Sequence, residues 1–377
     1  MIGDDNFDVV VVGGGPAGAA VAIALARLGR RLLMVEESAG VAARVGEALP
    51  PAARPVLREL GLLDQVASDG HLPCYGNDSI WGSDELDSSD FIFDPNGHGW
   101  HLDRPRFDTM LRKAARDSGA QVLLETKLVA CKRDHDDTWT VHLDDPNGNL
   151  LKVRSDWIVD ATGRKSTVAS RCRAVRLRDD ALVAFHAHFQ PGGIEQSCSD
   201  GNSRTVVEAM PDGWCYSALV PNGGRVVAYM TDRDLVNRAA LLSPESFLRR
   251  IEESRHIGPL LLVHGFRIDG RPRGADACSS RLQHFSGSGW LAVGDAALGF
   301  DPLSSQGLLF GLTTGIRAGR AIHDALLGDA DPVAEYARQL REFYGAYRRN
   351  LAFYYAAEER WRDRPFWQRR NQLSSVP

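Results

Sequence analysis

The sequence predicts an α/β fold: a parallel sheet covered by helices, interrupted by an inserted antiparallel sheet and closed by a C-terminal helix. Three observations carry this expectation. The apolar run Val9–Val12 enters glycines at 13, 15 and 18, and a helix-like stretch, Ala19–Leu28, follows. Between Leu182 and Thr231 the pattern changes to four short alternating segments, 182–189, 205–210, 214–220 and 225–231, punctuated by glycine-rich breaks. Near the end, Tyr336, Leu340, Phe343, Tyr347, Leu351 and Tyr354 recur at three- and four-residue intervals, an apolar stripe along one helix.

The opening segment carries the first chemistry. An uninterrupted apolar run is the pattern of a strand buried on both faces. Gly13 permits a tight turn, Gly15 lets backbone approach a ligand, and Gly18 lets the helix pack on the strand. Pro16 and Ala17 then stand at a helix N-terminus, where unpaired N–H groups favour a diphosphate. Gly29 ends the helix, Leu32–Val35 forms a second strand, and Glu36 closes it. An acid about twenty residues past the glycines suits the two hydroxyls of an adenosine ribose. Together these make a Rossmann-like dinucleotide unit.

The whole chain sets bounds. At 377 residues it is long enough for roughly two domains. Its 44 basic residues against 49 acidic ones give no reason to expect nucleic acid as a partner. No apolar run approaches the roughly 18–20 residues of a bilayer span, so no membrane association is expected. The N-terminus shows no basic region followed by an apolar stretch. Six cysteines (74, 131, 172, 198, 215 and 278) form neither CxxC pairs nor a metal-ligand spacing. A cytoplasmic protein with free thiols and no metal is the expectation.

Later segments add two strand ends of the same character. Trp157–Asp160 is apolar and runs into Ala161-Thr162-Gly163; Trp290–Val293 runs into Gly294-Asp295. Asp301-Pro-Leu-Ser-Ser-Gln-Gly307 follows and leads into a long helix, Leu308–Leu327. Loops from separate strands converge at the carboxyl edge of a parallel sheet. Three such loops around one ligand suit an extended FAD: Asp295 can accept from a ribityl hydroxyl. Free N–H groups near Ser305–Leu308 can stabilise negative charge at the flavin N1–C2=O. Between these landmarks, Ala52–Leu63 reads as a short helix and Gly70–Trp100 as short strands and loops whose aromatics cover a pocket or make their own small core. Trp139–Leu143 and Leu150–Arg154 read as a hairpin.

The motifs Gly13-Gly-Gly-Pro-Ala-Gly18, Gly46-Glu-Ala, Asp103-Arg-Pro-Arg-Phe-Asp108, Asp160-Ala-Thr-Gly163 and Gly294-Asp-Ala-Ala with Asp301-Pro make the resemblance plain. The chain resembles the FAD-dependent superfamily of aromatic hydroxylases, flavin halogenases and geranylgeranyl reductases. The resemblance implies a GR2-type Rossmann-like FAD domain over 1–70, 103–178 and 276–330, an inserted antiparallel-sheet substrate domain over 71–102 and 179–275, and a helical tail over 331–377. The cofactor residues it implies are Gly13, Gly15, Pro16, Ala17, Gly18, Glu36, Arg44, Gly46, Glu47, Arg104, Val129, Asp160, Gly163, Gly294, Asp295, Pro302, Gln306, Gly307 and Leu308.

Within that superfamily the halogenase pattern is departed from three times. Tryptophan halogenases resemble one another in a lysine in the first third of the chain, whereas the first lysine here is Lys113. Their Pro-Leu-Glu-Ser-Thr-Gly run corresponds to Pro302-Leu-Ser-Ser-Gln-Gly307, with Ser304 in place of the glutamate. Their Gly-Trp-x-Trp-x-Ile-Pro element corresponds loosely to Gly213-Trp-Cys-Tyr-Ser-Ala-Leu-Val-Pro221. Gly99-Trp-His-Leu-Asp-Arg104, the 301–307 run and the tail Tyr354–Trp361 with Pro365-Phe-Trp look more like the flavoproteins that modify tryptophan in quinone-cofactor enzymes. That likeness implies a monooxygenase hydroxylating an electron-rich aromatic, tryptophan or indole, free or in a peptide or protein, through a flavin C4a-hydroperoxide. Electrons come from NAD(P)H or a partner flavin reductase, since the chain has no second dinucleotide fingerprint. A halogenase with atypical catalytic residues and a geranylgeranyl-reductase-like oxidoreductase are the alternatives.

Candidates for the chemistry are few. His186 and His188 share one strand face, looking either at solvent or into the flavin cavity. Ser304 lies beside the flavin loop or caps the helix after it. Trp81, Trp214 and Tyr216 either stack on an aromatic substrate or pack in the core. The arginine-rich tail packs on the body, or offers a surface to a partner.

Overall fold

The computed structural model describes residues 6–39, 45–192 and 200–372. Its first layer is a parallel sheet. The strands are β1 (Asn6–Val12), β2 (Leu32–Val35), β5 (Gln121–Leu123), β6 (Leu150–Asp160) and β12 (Trp290–Ala292), with α1 (Pro16–Arg27) between the first two and α2 (Arg104–Asp117) before β5. The parallel order is β12-β6-β1-β2-β5. Register aligns Val12 with Val35 and Asp160, and Asp160 with Ala292, so four strand ends share one edge. Val9, Val10 and Val11 have no exposed surface, as a strand covered on both faces requires. β6 is longer than the sequence suggested: its first half pairs with Trp139–Asp144 as the expected hairpin, and the strand then continues unbroken into the parallel sheet.

The second layer is a seven-stranded sheet. It contains β3 (Gly76–Ile80), β4 (Asp87–Asp90), β7 (Leu182–Pro191), β8 (Thr205–Met210), β9 (Gly213–Leu219), β10 (Arg225–Asp232) and β11 (Phe266–Asp276). Their order is β11-β7-β10-β9-β8-β3-β4, antiparallel except where β3 joins β8. One face packs Phe185, Phe189, Cys215, Val227 and Tyr229 against Phe247, Ile251 and Ile257 of the helices after β10. The opposite face looks toward the parallel sheet.

Three helices complete the fold: α3 (Gly307–Leu326), α4 (Asp331–Ala356) and α5 (Pro365–Asn371). On α4 the buried positions are Tyr336, Leu340, Tyr344, Tyr347, Leu351 and Tyr355, whereas Phe343 and Tyr354 are exposed. The stripe was therefore read slightly off its centre; at about 100° per residue both misassigned rings lie on the edge of the buried face. The expected helix at Ala52–Leu63 is two, Ala53–Glu59 and Leu63–Ser68, broken where Gly61 takes φ +64°. Among the described residues no helix is long and apolar enough to cross a membrane, and no cluster of side chains has the makings of a metal site.

Gly18 separates packing from conformation. A Cβ there would stand 1.9 Å from the Gly13 carbonyl oxygen, whereas at Gly29 (φ +76°) it would meet nothing within 4 Å. Gly18→Ala is expected to cost about 2–4 kcal/mol and Gly29→Ala about 1 kcal/mol. Urea unfolding of both variants checks this, and equal losses would contradict it.

Candidate functional site

A cavity of 920 Å³ begins at the shared edge of the parallel sheet and ends against the seven-stranded sheet. It is near the top of the roughly 300–1,000 Å³ typical of small-molecule sites. At its first end Gly13 takes φ +110°, and a Cβ there would lie 2.2 Å from the Ala161 carbonyl oxygen. No side chain caps α1, so the N–H groups of its first turn are left for a ligand. Glu36 is buried and fixed on the wall: Gly14 N–H donates to Oε2 at 2.7 Å, and the Ser38 hydroxyl and N–H donate to Oε1 at 2.6 and 3.1 Å. Two lysines line this end, Lys127 and Lys165, and both face Glu37, at 3.8 and 3.3 Å.

The middle of the cavity is built from Ala161–Gly163 and the 293–308 run. Asp295 lies on the wall with the Arg164 guanidinium 3.6 Å away. Arg164 also donates to the carbonyls of Cys278 and Phe300, each at 2.6 Å. Arg176 donates to the carbonyls of Asp295 and Ala296 at 2.7 Å, and to the hydroxyls of Ser166 and Ser280. These two arginines brace the late loop, and neither was singled out from sequence. Pro302, Ser304, Gln306, Gly307 and Leu308 all line the cavity. The Ser304 hydroxyl donates to the Asp301 carbonyl at 2.8 Å. Asp301 itself is fully enclosed, and burial, with Asp180 nearby, pushes its carboxyl up to about 6.

The far end is one face of the seven-stranded sheet. Alternate residues supply it: Ala184 and His186 from β7, Thr205 and Val207 from β8, Trp214 and Tyr216 from β9, Ala228 and Met230 from β10. His186 is 7% exposed and its Nδ1 has no hydrogen-bond partner. Burial, then His188 and Arg273, hold this imidazole down to about 4, so it is neutral at ordinary pH. The Tyr216 hydroxyl donates to Glu47, a buried carboxylate whose other oxygen is unpartnered. Behind Thr205, His101 is held by the Thr205 hydroxyl and the Leu219 carbonyl, both at 2.8 Å.

Of the residues singled out from sequence, the cavity wall gathers Gly13, Gly15, Pro16, Ala17, Glu36, Gly46, Arg104, Gly163, Gly294, Asp295, Pro302, Ser304, Gln306, Gly307, Leu308, His186, Trp214 and Tyr216. Arg104 reaches the Gly46 carbonyl at 2.9 Å and pairs with Asp108 at 3.3 Å. Others fall elsewhere. Asp160 turns inward, accepting from Thr162 and from the Ala169 N–H at 2.8 Å. Gly18 packs against Gly13. Glu47 stands behind Tyr216, off the wall. Val129 is 45% exposed and its carbonyl accepts from Arg171, while Thr126, Lys127 and Leu128 form the wall at that point. His188 lies off the wall, past the irregularity in the pairing of β7 with β11. Trp81 packs under the tail, its Nε1 donating to the Tyr354 carbonyl at 2.7 Å. None of Trp81, Phe91, Phe93 and Trp100 lines the cavity, so the aromatics of the 70–100 stretch do not cover it. Arg44 lies outside the described residues.

An uncapped helix N-terminus, a backbone cradle that excludes any Cβ, a fixed acid at the second strand end and an aspartate midway suit FAD in extended form. Comparison with known proteins agrees. A family model described as an FAD binding domain matches residues 6–334. LodB of Marinomonas mediterranea, whose name assigns it to the FAD-dependent oxidoreductases, is 29% identical over 381 residues, 99% of each chain. The myxobacterial chondrochloren halogenase CndH, an FAD-dependent halogenase, superposes with a TM-score of 0.88 at 25% identity, over 97% of this chain and 86% of its own. The peptidyl tryptophan dihydroxylase QhpG, essential for tryptophylquinone cofactor biogenesis, superposes with a TM-score of 0.77 at 25% identity, over 97% and 79%. These likenesses support the halogenase and aromatic-hydroxylase superfamily as a whole, with FAD as cofactor.

Burial also holds His101 down to about 4. In the unfolded chain both histidines return to about 6.5. Between pH 6.5 and 4 the unfolded state therefore binds more protons, and stability falls as pH is lowered through that window. His101→Gln is expected to flatten the dependence of unfolding free energy on pH by up to one proton, about 1.4 kcal/mol per pH unit. Urea titrations at three pH values across the window measure this, and an unchanged slope would refute it.

Proposed function

The chain belongs to the FAD-binding domain family and is an FAD-dependent oxidoreductase, and we propose that it is a monooxygenase hydroxylating an electron-rich aromatic ring, tryptophan or indole, free or carried in a peptide or protein. The observation that carries this reading is the neutral, unpartnered His186 imidazole set on the same cavity face as Trp214 and Tyr216. FAD held in this cavity, with electrons from NAD(P)H or a partner reductase, would supply the activation of O₂, one oxygen atom going to the ring and the other to water.

The residues divide the rest of the work. The first turn of α1 and the backbone of Gly13–Ala17 hold the diphosphate, Glu36 the adenosine ribose, and Asp295 a ribityl hydroxyl. The N–H groups of Gly307 and Leu308 at the start of α3 would offer partial positive charge to the electron-rich edge of the ring system. Trp214 and Tyr216 orient the substrate ring, and the apolar side chains around them keep water out. His186 Nδ1 accepts the proton released by the ring carbon that gains oxygen. QhpG, which by its name acts on peptidyl tryptophan, supports a tryptophan-bearing substrate.

Halogenation is the second reading, favoured by the closer superposition on CndH. Against it, both lysines lining the cavity face Glu37, and Ser304 stands where tryptophan halogenases carry glutamate. The test is single turnover of the reduced, FAD-loaded protein with O₂ and tryptophan, indole or a tryptophan-bearing peptide, with and without chloride and bromide. A product heavier by one oxygen atom, independent of halide, is expected. A product in which halogen replaces hydrogen would overturn the reading. His186→Gln should keep its FAD and lose about 10²-fold in kcat, read by stopped flow; an unaltered kcat would remove His186 from the mechanism.

A further inference from the structure

We propose that Tyr355 is a positioning residue for the substrate end of the cavity, through the hydroxyl that ties Trp214 on the sheet to Asp301 on the loop before α3. The inference rests on the reading of that end as the place of the aromatic substrate. Trp214 Nε1 donates to the Tyr355 hydroxyl at 3.0 Å, and that hydroxyl donates to Asp301 Oδ2 at 2.7 Å. Trp214 and Asp301 both line the cavity, while Tyr355 stands behind them on α4, buried. One hydroxyl thus joins three distant parts of the chain, and it sets the separation between the aromatic wall and the 301–308 loop.

The bridge is held from every side. The other Asp301 oxygen accepts from the Leu303 N–H at 2.9 Å. The Asp301 N–H donates to the Tyr347 hydroxyl at 2.8 Å, and Tyr347 also meets Ser279 at 2.7 Å. A third tyrosine of α4, Tyr336, donates to the Ala292 carbonyl at 2.8 Å, at the end of β12. The Tyr355 ring is boxed in by Trp81 and Trp367, with centroids 5.9 and 6.0 Å away, and by the Arg370 guanidinium at 5.2 Å, itself bound to Asp232 at 2.8 Å. Removing the hydroxyl alone leaves a buried indole N–H without an acceptor and a buried carboxylate short of a donor. Trp214 then loses the one hydrogen bond that orients its indole, and a substrate ring packed on it loses its register with the reacting centre.

The test is Tyr355→Phe in the FAD-loaded enzyme. FAD content should match the parent, while coupling of reductant oxidation to hydroxylated product falls about five- to tenfold. Titration with indole, followed by the flavin absorbance, should give a dissociation constant raised by a similar factor. Trp214→Phe cuts the same bridge from the other end, so the double variant should be no worse than the worse single one. Parental coupling and indole binding in Tyr355→Phe, or losses that multiply in the double variant, would overturn the proposal. If Tyr355→Phe does not fold, Asp301→Asn weakens the same bond at constant shape; unchanged indole binding in that variant overturns the proposal equally. A parent enzyme that binds indole yet never oxygenates it would remove the monooxygenase reading alone.

Discussion

The near-contact crossing of α1 and α3 is the constraint on which the site depends. A Cβ at Gly315 would lie 2.5 Å from the Ala17 carbonyl oxygen and 2.6 Å from the Ala20 Cβ; at Gly319 it would lie 2.8 Å from the Ala24 Cβ. Gly311 faces Ala17 as well, and the spacing of four puts all three glycines on one helix face. Gly294 makes the same demand on Ala17 from the loop before α3. Side chains at these positions would lift α3 away from α1, and with it the 301–308 loop that forms the middle of the cavity. The dinucleotide turn and the late loop are some 280 residues apart in sequence, yet they line one cavity because two helices are allowed to touch.

The loops gathered this way need polar bracing, because each strand end leaves backbone carbonyls inside the protein. Arg164 and Arg176 provide it, donating to the carbonyls of Cys278, Asp295, Ala296 and Phe300. Burial opposes the charge on Arg176, and Asp295 and Asp160 support it. An anionic diphosphate bound in the neighbouring cavity would add to that support.

What could be read from sequence was what is local. The strand-glycine-helix turn, Asp-Ala-Thr-Gly, Gly-Asp and the four strands between 182 and 231 each declare themselves within about ten residues. Contacts that depend on how elements dock were not legible. The bonds of Arg164 cross more than a hundred residues, and no spacing announces them. Alternation placed His186 and His188 on one face, and the regular pairing of β7 with β10 keeps them there, but the cavity reaches only His186. Val129 was implied by the resemblance, whereas the wall there passes through the three residues before it. On α4 a stripe of aromatics every third or fourth residue admits two phases, and docking on α3 selects the one that buries Tyr355.

The cavity changes character along its length, and the change is itself informative. Its ribose end carries Lys127, Lys165 and a helix N-terminus, all suited to a diphosphate. Its far end is aromatic and aliphatic, with a histidine that burial keeps neutral. A base weakened in this way gains little from solvent, but a ring carbon that has just gained oxygen is a strong acid and needs only a weak one. Lowering the proton affinity of His186 therefore sacrifices little on the proposed pathway. It keeps the wall uncharged at the end where the aromatic ring is proposed to sit. The distribution of charge along one cavity thus suits a diphosphate at one end and an uncharged aromatic ring at the other.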